Sequence, residues 1–578
     1  MILKCFAAFS QIGFFGLLSL LLASLMMIAA YWYTKRRLIL TSSIIIAIAT
    51  AIVLTIDVYT YKVSHYHLNG IILNLIFNGL INEVFTLSHN ELIFALSIFL
   101  FIIIIEILYG LALWRAVDKN WGFVYKKWFI LLVAVCFYLS YSMLVYSQQY
   151  QLHRILVDIS RVLPYYANLQ GLLMFGKNGI YKINHFAEEH CLQAQGLNLP
   201  LNYPLTKLQP SSAKNNPNIL IIVIDSWRFD MLSRDITPNL YQFAGKSWVF
   251  KNHFSGGNAT GPGIFSLLYG LPYSYWSSME IQQRGPVFID ELNNQGYDMG
   301  IFASASLSLP PFDKTVFSGV NHLQINTQGD SPYQRDLTIT DNFKKFISKT
   351  KKPFFSFLFY DAAHGFCSFD EDLKPFIPVV KNCDRSQLTH ESDPTPYFNR
   401  YKNALQLVDK EIGKVITYLD EKNLLQNTII LITADHGEEF NDGASGYWGH
   451  ANHFSDYQVK VPLIVHWPKQ SPKEFMHTTS HYDVVPTLMK QGLGFNNFLA
   501  HYSIGSELLD TTRRPYLIIN SYVDFAVITN NRRTRILSNG NYIIETNMGE
   551  TLFTEKLDIP IIHQAYEDLR RFYQNQNI

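Results

Sequence analysis

Charge is what this sequence has least of. Asp, Glu, Lys and Arg make up 16% of its 578 residues and balance to a formal net charge of +1. So neutral a chain offers no bulk electrostatic hold on nucleic acid, and no nucleic-acid partner is expected. A small-residue cleavage site is also missing between the first apolar run and the basic turn "TKRR". That absence excludes a cleavable signal peptide. Cysteine is scarce as well, with five in the chain. Cys5 and Cys136 lie in or beside apolar runs. Cys367 and Cys383 bracket a polar insertion, "SFDEDLKPFIPVVKN", and fit a disulfide in an oxidising compartment, with Cys191 left over. Other pairings of these three stay open.

Hydrophobic residues, by contrast, reach 48%, and they concentrate in the first ~150 positions, which points to a membrane unit followed by a second unit. Five segments approach the ~20 residues that a helix needs to cross a bilayer. They are Ile12–Trp32, Leu38–Tyr59, Leu68–Leu87, Leu92–Trp114 and Trp128–Tyr146. The third carries Asn74, Asn78, Asn82 and Glu83, so four helices and a re-entrant piece is the competing count. Tyr31, Trp32, Tyr33, Tyr59, Tyr61, Trp114, Trp121 and Trp128 sit at segment ends, where interfacial aromatics belong. An inside N-terminus places Lys4, Lys62, Arg115, Lys119, Lys126 and Lys127 in the cytoplasm and leaves Lys35, Arg36 and Arg37 outside. The basic residues thus favour export of everything after the fifth segment, with the "TKRR" turn as the counter-evidence. Asp57 is expected to reach water at the interface. Glu106 lies within a segment and fits either a buried polar contact or a plain interfacial acid.

The expected division is 1–148 as a five-helix transmembrane domain, 149–216 as an amphipathic juxtamembrane segment and linker, and 217–578 as an exported α/β domain. The middle piece is basic, with Arg154, Arg161, Lys177 and Lys182, and suits a lipid surface before it turns Pro-, Asn- and Ser-rich. From Asn218 onward apolar strands alternate with helices. "NILIIVID", "YDMGIFAS", "KPFFSFLFYD", "NTIILITAD" and "KVPLIVHWP" read as strands. "TPNLYQFA", "VFIDELNNQG" and "YKNALQLVDKEIGKVITYLDEKNL" read as helices. This alternation predicts a mostly parallel sheet flanked by helices. "YLIINSYVDFAVITNNRRTRILSNGNYIIET" alternates with period two and predicts a small C-terminal antiparallel sheet.

Ligand sites in such sheets form beyond the carboxyl ends of the strands. Asp225, His364, and the pair Asp435–His436 each follow a strand. Thr260 stands before an apolar helix in "FSGGNATGPGIFSLLYGLP", where helix amides and dipole favour an anion. Asp225, Thr260, Asp435 and His436 therefore make a candidate metal centre of three oxygens and one nitrogen. Zinc or manganese suits it, and magnesium stays open. Thr260 is the candidate nucleophile, activated by the ion. His364 and His450 are candidate donors to the phosphoryl oxygens or leaving group, with His453 competing for the place of His450. Taken alone, Asp225 also fits a helix cap and Thr260 a plain N-cap hydroxyl. Arg228 reads as a structural ion-pair partner, His481 and Asp483 as loop and cap residues, and Glu438 and Glu439 as hydrogen-bond acceptors around the ligands or solvated acids.

"NILIIVIDSWRFDML", "TPNL", Thr260 before a helix ending "LLYGLP", "TADHGEEF", "VPLIVHWP" and "HYDVVPTLM" resemble, in order and spacing, the sulfatase branch of the alkaline-phosphatase superfamily. The familiar nucleophile motif of that branch is Cys-x-Pro-Ser-Arg. Here the window reads "TGPGI", with no cysteine to become formylglycine and Ile264 in the arginine's place, so sulfate-ester hydrolysis is not expected. A threonine nucleophile resembles lipoteichoic-acid synthases and lipid A phosphoethanolamine transferases. That resemblance implies one metal, held by Asp225, Thr260, Asp435 and His436, with Ser226 where two-metal members carry a second aspartate.

In the membrane half, "YKVSHYHLNGIILNLIFNGLINEVF", "LPYYANLQGLLMFGKNGI" and "LNYPLTKL" resemble the YejM/PbgA inner-membrane proteins of Gram-negative bacteria. That likeness implies a multi-pass inner-membrane protein with a periplasmic sulfatase-fold domain. It also implies a role in lipopolysaccharide supply, a lipid A contact near the linker, and cytoplasmic or inner-membrane regulators of lipopolysaccharide synthesis as partners. Some members lack the Asp–His pair, whereas this chain keeps Asp435–His436. Two functions follow as expectations: a regulator with an inherited metal site, or an active phospho-transferase acting on lipid-linked substrates.

Overall fold

The computed structural model describes residues 36–64, 89–118, 200–210, 216–368, 375–381, 383, 388–530, 532–537, 542–552 and 554–574. The first, third and fifth expected spans, residues 149–199, and Cys5, Cys136 and Cys191 lie outside the described residues. Contacts divide the chain into two units. In the first, α1 (Arg36–Ser64) and α2 (His89–Asp118) contain the second and fourth expected spans. They expose large apolar side chains, among them Ile45, Leu100, Phe101 and Leu108. Counting only residues whose side chains are described, no helix is long and apolar enough to cross a membrane. Asp57, expected to reach water, is buried.

The second unit is built on β1 (Asn218–Ile224), α3 (Pro238–Ala244), β2 (Trp248–Phe254), α4 (Thr260–Tyr269), α5 (Val287–Asn294), β3 (Asp298–Ala303), α6 (Pro332–Lys349), β4 (Phe354–Tyr360), α7 (Thr395–Glu421) and β5 (Thr428–Ala434). After these come the short strands β6 (Glu439–Phe440) and β7 (Trp448–Gly449), then β8 (Leu463–His466) and β9 (Lys473–Ser480). The strands β10 (Leu517–Asn520), β11 (Phe525–Ile528), β12 (Arg533–Ile536) and β13 (Tyr542–Glu545) and the helix α8 (Ile559–Arg570) close the unit.

Seven strands form the main sheet in the order β3–β4–β1–β5–β8–β2–β9. Neighbours run parallel except β8, which is antiparallel to both β5 and β2. A strand buried on both faces reads as a near-continuous apolar run, and "NILIIVI" is apolar at every position after Asn218. Its side chains alternate between two cores. Ile219, Ile221 and Val223 join the residues of α4 and α5 on one face. Leu220, Ile222 and Ile224 join those of α3, α6 and α7 on the other. The C-terminal strands pair antiparallel in sequence order and pack on α8 through Ile518, Phe525, Val527, Ile562 and Tyr566. Residues 200–210 lie against this unit: Tyr203 and Leu208 are buried, and Asn202 N donates to the Phe572 carbonyl at 2.8 Å.

Register fixes where the functional ends fall. Ile224 of β1 stands level with Tyr360 of β4 on one side and Ala434 of β5 on the other. The next residue along each strand is an aspartate: Asp225, Asp361 and Asp435. Three carboxylates thus leave the sheet side by side.

Helix α3 begins at Pro238 without a side-chain cap of its own. Asp409 of α7 supplies one: its carboxylate accepts from Leu240 N at 2.8 Å, Asn239 N at 3.0 Å and Asn239 Nδ2 at 2.7 Å. Asp409→Ala should therefore cost about 1–3 kcal/mol, the penalty for orphaning buried amides. Urea unfolding should show a lower midpoint at unchanged slope, and an unchanged midpoint would remove this capping role.

Candidate metal centre

Asp225, Thr260 and the pair Asp435–His436 arrive from three separate elements and meet. The His436 Nε2 atom lies 3.4 Å from Asp435 Oδ2, 3.7 Å from Asp225 Oδ1 and 3.3 Å from Thr260 Oγ1. Ligand atoms of Asp225, Asp435 and His436 all lie within 4.8 Å of one another. All four side chains are buried, Thr260 being the most exposed at 6%. The His436 Nδ1–H donates to the Gly437 carbonyl at 2.8 Å, which leaves the Nε2 lone pair facing the carboxylates. Ser226, held at a φ of 62°, donates its hydroxyl to Asp225 Oδ1 at 2.8 Å and its amide to Asp435 Oδ1 at 3.1 Å.

The electrostatics suit a divalent cation. Burial, then the Asp435 charge, holds the Asp225 carboxyl well above its usual range. Burial pushes Asp435 up to about 7. Burial, then His450, drives His436 well below its usual value, so it stands as a neutral imidazole. Asp435 Oδ2 has no hydrogen-bond partner among the described residues. Two crowded carboxylates, a neutral imidazole with its lone pair inward and an orphaned carboxylate oxygen form a donor set suited to one divalent ion.

The helix that carries Thr260 comes unusually close to β5. A Cβ on Gly263 would sit 2.2 Å from the Asp435 carbonyl oxygen, so a side chain there is sterically impossible without movement. Ser255 Oγ donates to that same carbonyl. The spacing between Thr260 and Asp435 is therefore set by a glycine contact.

His364 and His450 flank the centre. The His450 ring packs on His436 with centroids 4.2 Å apart, and His364 lies 5.2 Å from His450. Glu438 Oε2 bonds His450 Nδ1 at 2.7 Å. His453 faces elsewhere: its Nδ1 bonds Glu439 Oε2 at 2.9 Å, and its ring stacks on Tyr447. Both glutamates are buried acceptors, not solvated acids.

Asp361 carries a role that the sequence reading passed over. It bonds His364 Nδ1 at 3.2 Å and Arg335 Nη2 at 3.2 Å. Its signal was available, because it occupies the same post-strand position as Asp225 and Asp435. Burial works against charge on His364, but Asp225, Asp361 and Glu438 outweigh it and raise its pKa to about 10. Asp225, Asp361 and His364 form a second group with ligand spacing; there Arg335 already supplies the positive charge.

Arg228 pairs with Asp230 at 2.7 Å and Asp442 at 3.0 Å. Asp483 and Ser480 form a reciprocal cap, and His481 Nδ1 reaches the Gly263 carbonyl at 3.2 Å. Cys367 and Cys383 form a disulfide. It closes the loop that begins just after His364.

Gly263→Ala should push Thr260 and Asp435 apart and weaken retention of a divalent ion by at least about tenfold, because bound-ion geometry tolerates only a few tenths of an ångström. Calorimetric titration with Zn²⁺ or Mn²⁺ checks this, and wild-type affinity in the variant would contradict it.

A family model described as Sulfatase matches residues 217–494, and a domain of unknown function, DUF3413, matches residues 1–210. The chain is 24% identical over 545 residues to the inner membrane protein YejM of Salmonella typhimurium, covering 94% of this chain and 86% of that protein. It is 25% identical over 300 residues to the phosphatidylethanolamine transferase Mcr-1 of Escherichia coli, covering 47% of this chain and 53% of that one. A solved structure of an alkaline phosphatase superfamily protein from Vibrio parahaemolyticus matches at 16% identity, with 70% of this chain and 99% of that chain covered and a TM-score of 0.47. The chain is thus similar over most of its length to the YejM inner membrane proteins, and its residues 217–494 match the Sulfatase family model.

Proposed function

We propose that this protein is a multi-pass inner-membrane metalloprotein of lipopolysaccharide homeostasis whose periplasmic domain keeps a phosphoester-cleaving centre. The observation that carries the proposal is the convergence of Asp225, Thr260, Asp435 and His436 around an orphaned carboxylate oxygen. The membrane placement rests on the five apolar segments of the sequence, each near the ~20 residues that suffice to span, and on the likeness to the YejM inner membrane proteins.

A divalent ion, zinc or manganese by donor type, would lower the pKa of the Thr260 hydroxyl and offset charge on the phosphoryl oxygens. The remaining steps belong to side chains of this chain. Thr260 gives up its hydroxyl proton to water, Oγ1 attacks phosphorus, a phosphothreonine bond forms, and the bond to the leaving oxygen breaks. A proton from His364 or His450 goes to that oxygen. Asp361 and Glu438 hold the Nδ1 atoms of those two rings. Water then releases the phosphate, or a second alcohol accepts the group in a transferase. The Mcr-1 likeness supports the transferase form as the alternative.

A second reading has its own support. The ligands are buried almost completely, and a regulator that senses lipid A and binds partners of lipopolysaccharide synthesis has no need of an open site. Intact ligands are compatible with both.

Substitution separates them. Asp435→Ala should lose the bound ion, measured as metal content of the purified chain. Thr260→Ala should lower hydrolysis of p-nitrophenyl phosphate by about three orders of magnitude or more, as removal of a nucleophile does. Each variant is also tested for complementation of a deletion strain. Hydrolysis lost while complementation survives assigns the biological role to the regulator. Wild-type metal content and wild-type hydrolysis in both variants would sink the catalytic centre.

A further inference from the structure

The N-terminus of α4 has few donors left for an anion. Pro262 has no N–H. The Gly263 N–H donates to the Ala259 carbonyl at 2.9 Å. The Gly261 N–H donates to the Tyr522 hydroxyl at 3.1 Å. Thr260's own amide is what remains. The seat that a helix start normally offers to a phosphate is thus covered by a phenol of the same chain.

The contact is close. A Cβ on Gly261 would stand 2.9 Å from Tyr522 Cε1, so the ring lies directly against the helix end beside Thr260. Tyr522 also packs edge-on against Tyr273, with centroids 5.8 Å apart. It sits in the turn between β10 and β11, and the base of that turn is fastened to the loop before Thr260. Asn520 N donates to the Gly256 carbonyl at 2.9 Å, Asn258 N donates to the Asn520 carbonyl at 3.1 Å, and Asn520 Oδ1 accepts from Tyr273 N at 3.1 Å. The base is pinned to the nucleophile loop while Tyr522, half-buried, covers its end. Thr260, the neighbour of Gly261, is 6% exposed.

We infer that Tyr522 is a gate: its phenol holds the anion seat at the start of α4 and must swing aside before a phosphoryl group approaches Thr260. This rests on the metal-and-threonine reading of the site. The phenol oxygen accepts from Gly261 N–H as a phosphoryl oxygen would, so seat and gate compete for one donor. Access to the centre is then set by the small C-terminal sheet.

The test uses the full-length chain in detergent, loaded with Mn²⁺ and titrated with orthovanadate as the phosphoryl mimic. Tyr522→Ala should bind vanadate about tenfold more tightly than wild type, the scale of one amide hydrogen bond to an anion. Mn²⁺ affinity and the thermal midpoint should not change. Tyr522→Phe, which frees the amide but keeps the ring, should tighten binding less, and it carries the test if the alanine variant folds poorly. Equal or weaker vanadate binding in variants with wild-type Mn²⁺ affinity overturns the gate, and so does an absence of vanadate binding in all three proteins. A wild-type chain that retains no Mn²⁺ removes the metal reading itself, and the gate with it.

Discussion

Three parallel strands that end level create the problem around which this site is organised. Asp225, Asp361 and Asp435 follow β1, β4 and β5 at the same height, in a region where water is nearly excluded. Two unit charges at most 4.8 Å apart repel by at least roughly 3.5 kcal/mol at an effective dielectric of ~20. Each carboxylate needs a partner, and the partners differ. Asp361 takes Arg335 from α6 and the ring of His364. Asp225 and Asp435 receive hydroxyl and amide hydrogen bonds and face a neutral imidazole, and the charge of His364, which they share with Asp361, offsets theirs only in part. The division of labour is therefore between a carboxylate neutralised from within the chain and a pair that a divalent ion would neutralise.

Two neighbouring Glu–His pairs show how small a difference in direction separates function from structure. Glu438–His450 and Glu439–His453 have the same chemistry and similar lengths, 2.7 and 2.9 Å. Consecutive residues point opposite ways, so only one pair can face the centre. His450 packs on His436, whereas His453 is held by Tyr447 and its glutamate. Around that other pair, Ser455 and Gln458 also donate to Glu439, which makes it a fastening of the loop after β7.

The segment that enters the domain is part of the same construction. Residues 200–210 form a bridge from Leu201 to Tyr573 and another from Pro210 to Phe495. Gln574 N donates to the Pro200 carbonyl at 2.9 Å. The stretch looks like a linker in sequence because Pro and Asn break its pattern. Its apolar residues are nevertheless spaced to dock, with Tyr203 against Phe572 and Tyr269. The end of α8, which packs on the small sheet, is thus clasped by the entry to the domain.

How much of this was legible depended on whether burial was symmetrical. The central strands β1, β4 and β5 are buried on both faces and read as mostly apolar runs. Their terminal acids could be located from the sequence, and the C-terminal meander showed as alternation. β2 and β9 escaped because each is partly exposed: "WVFKNHF" has polar residues at its open positions, and "KEFMHTTS" is an edge strand with Lys473, Glu474 and Met476 outward. Asp361 carries the same post-strand signal as Asp225 and Asp435, but its partner Arg335 lies 26 residues away and joins it only in the fold. Tyr522 escaped for a deeper reason. A tyrosine in a hairpin turn carries no motif, and its meaning comes from a glycine amide 261 positions away. Pattern along the chain reveals what strands bury; it does not reveal which donor a long-range contact has already consumed. At the start of α4 the apolar helix and its threonine announce an anion seat, and an inventory of amide partners shows that seat to be filled.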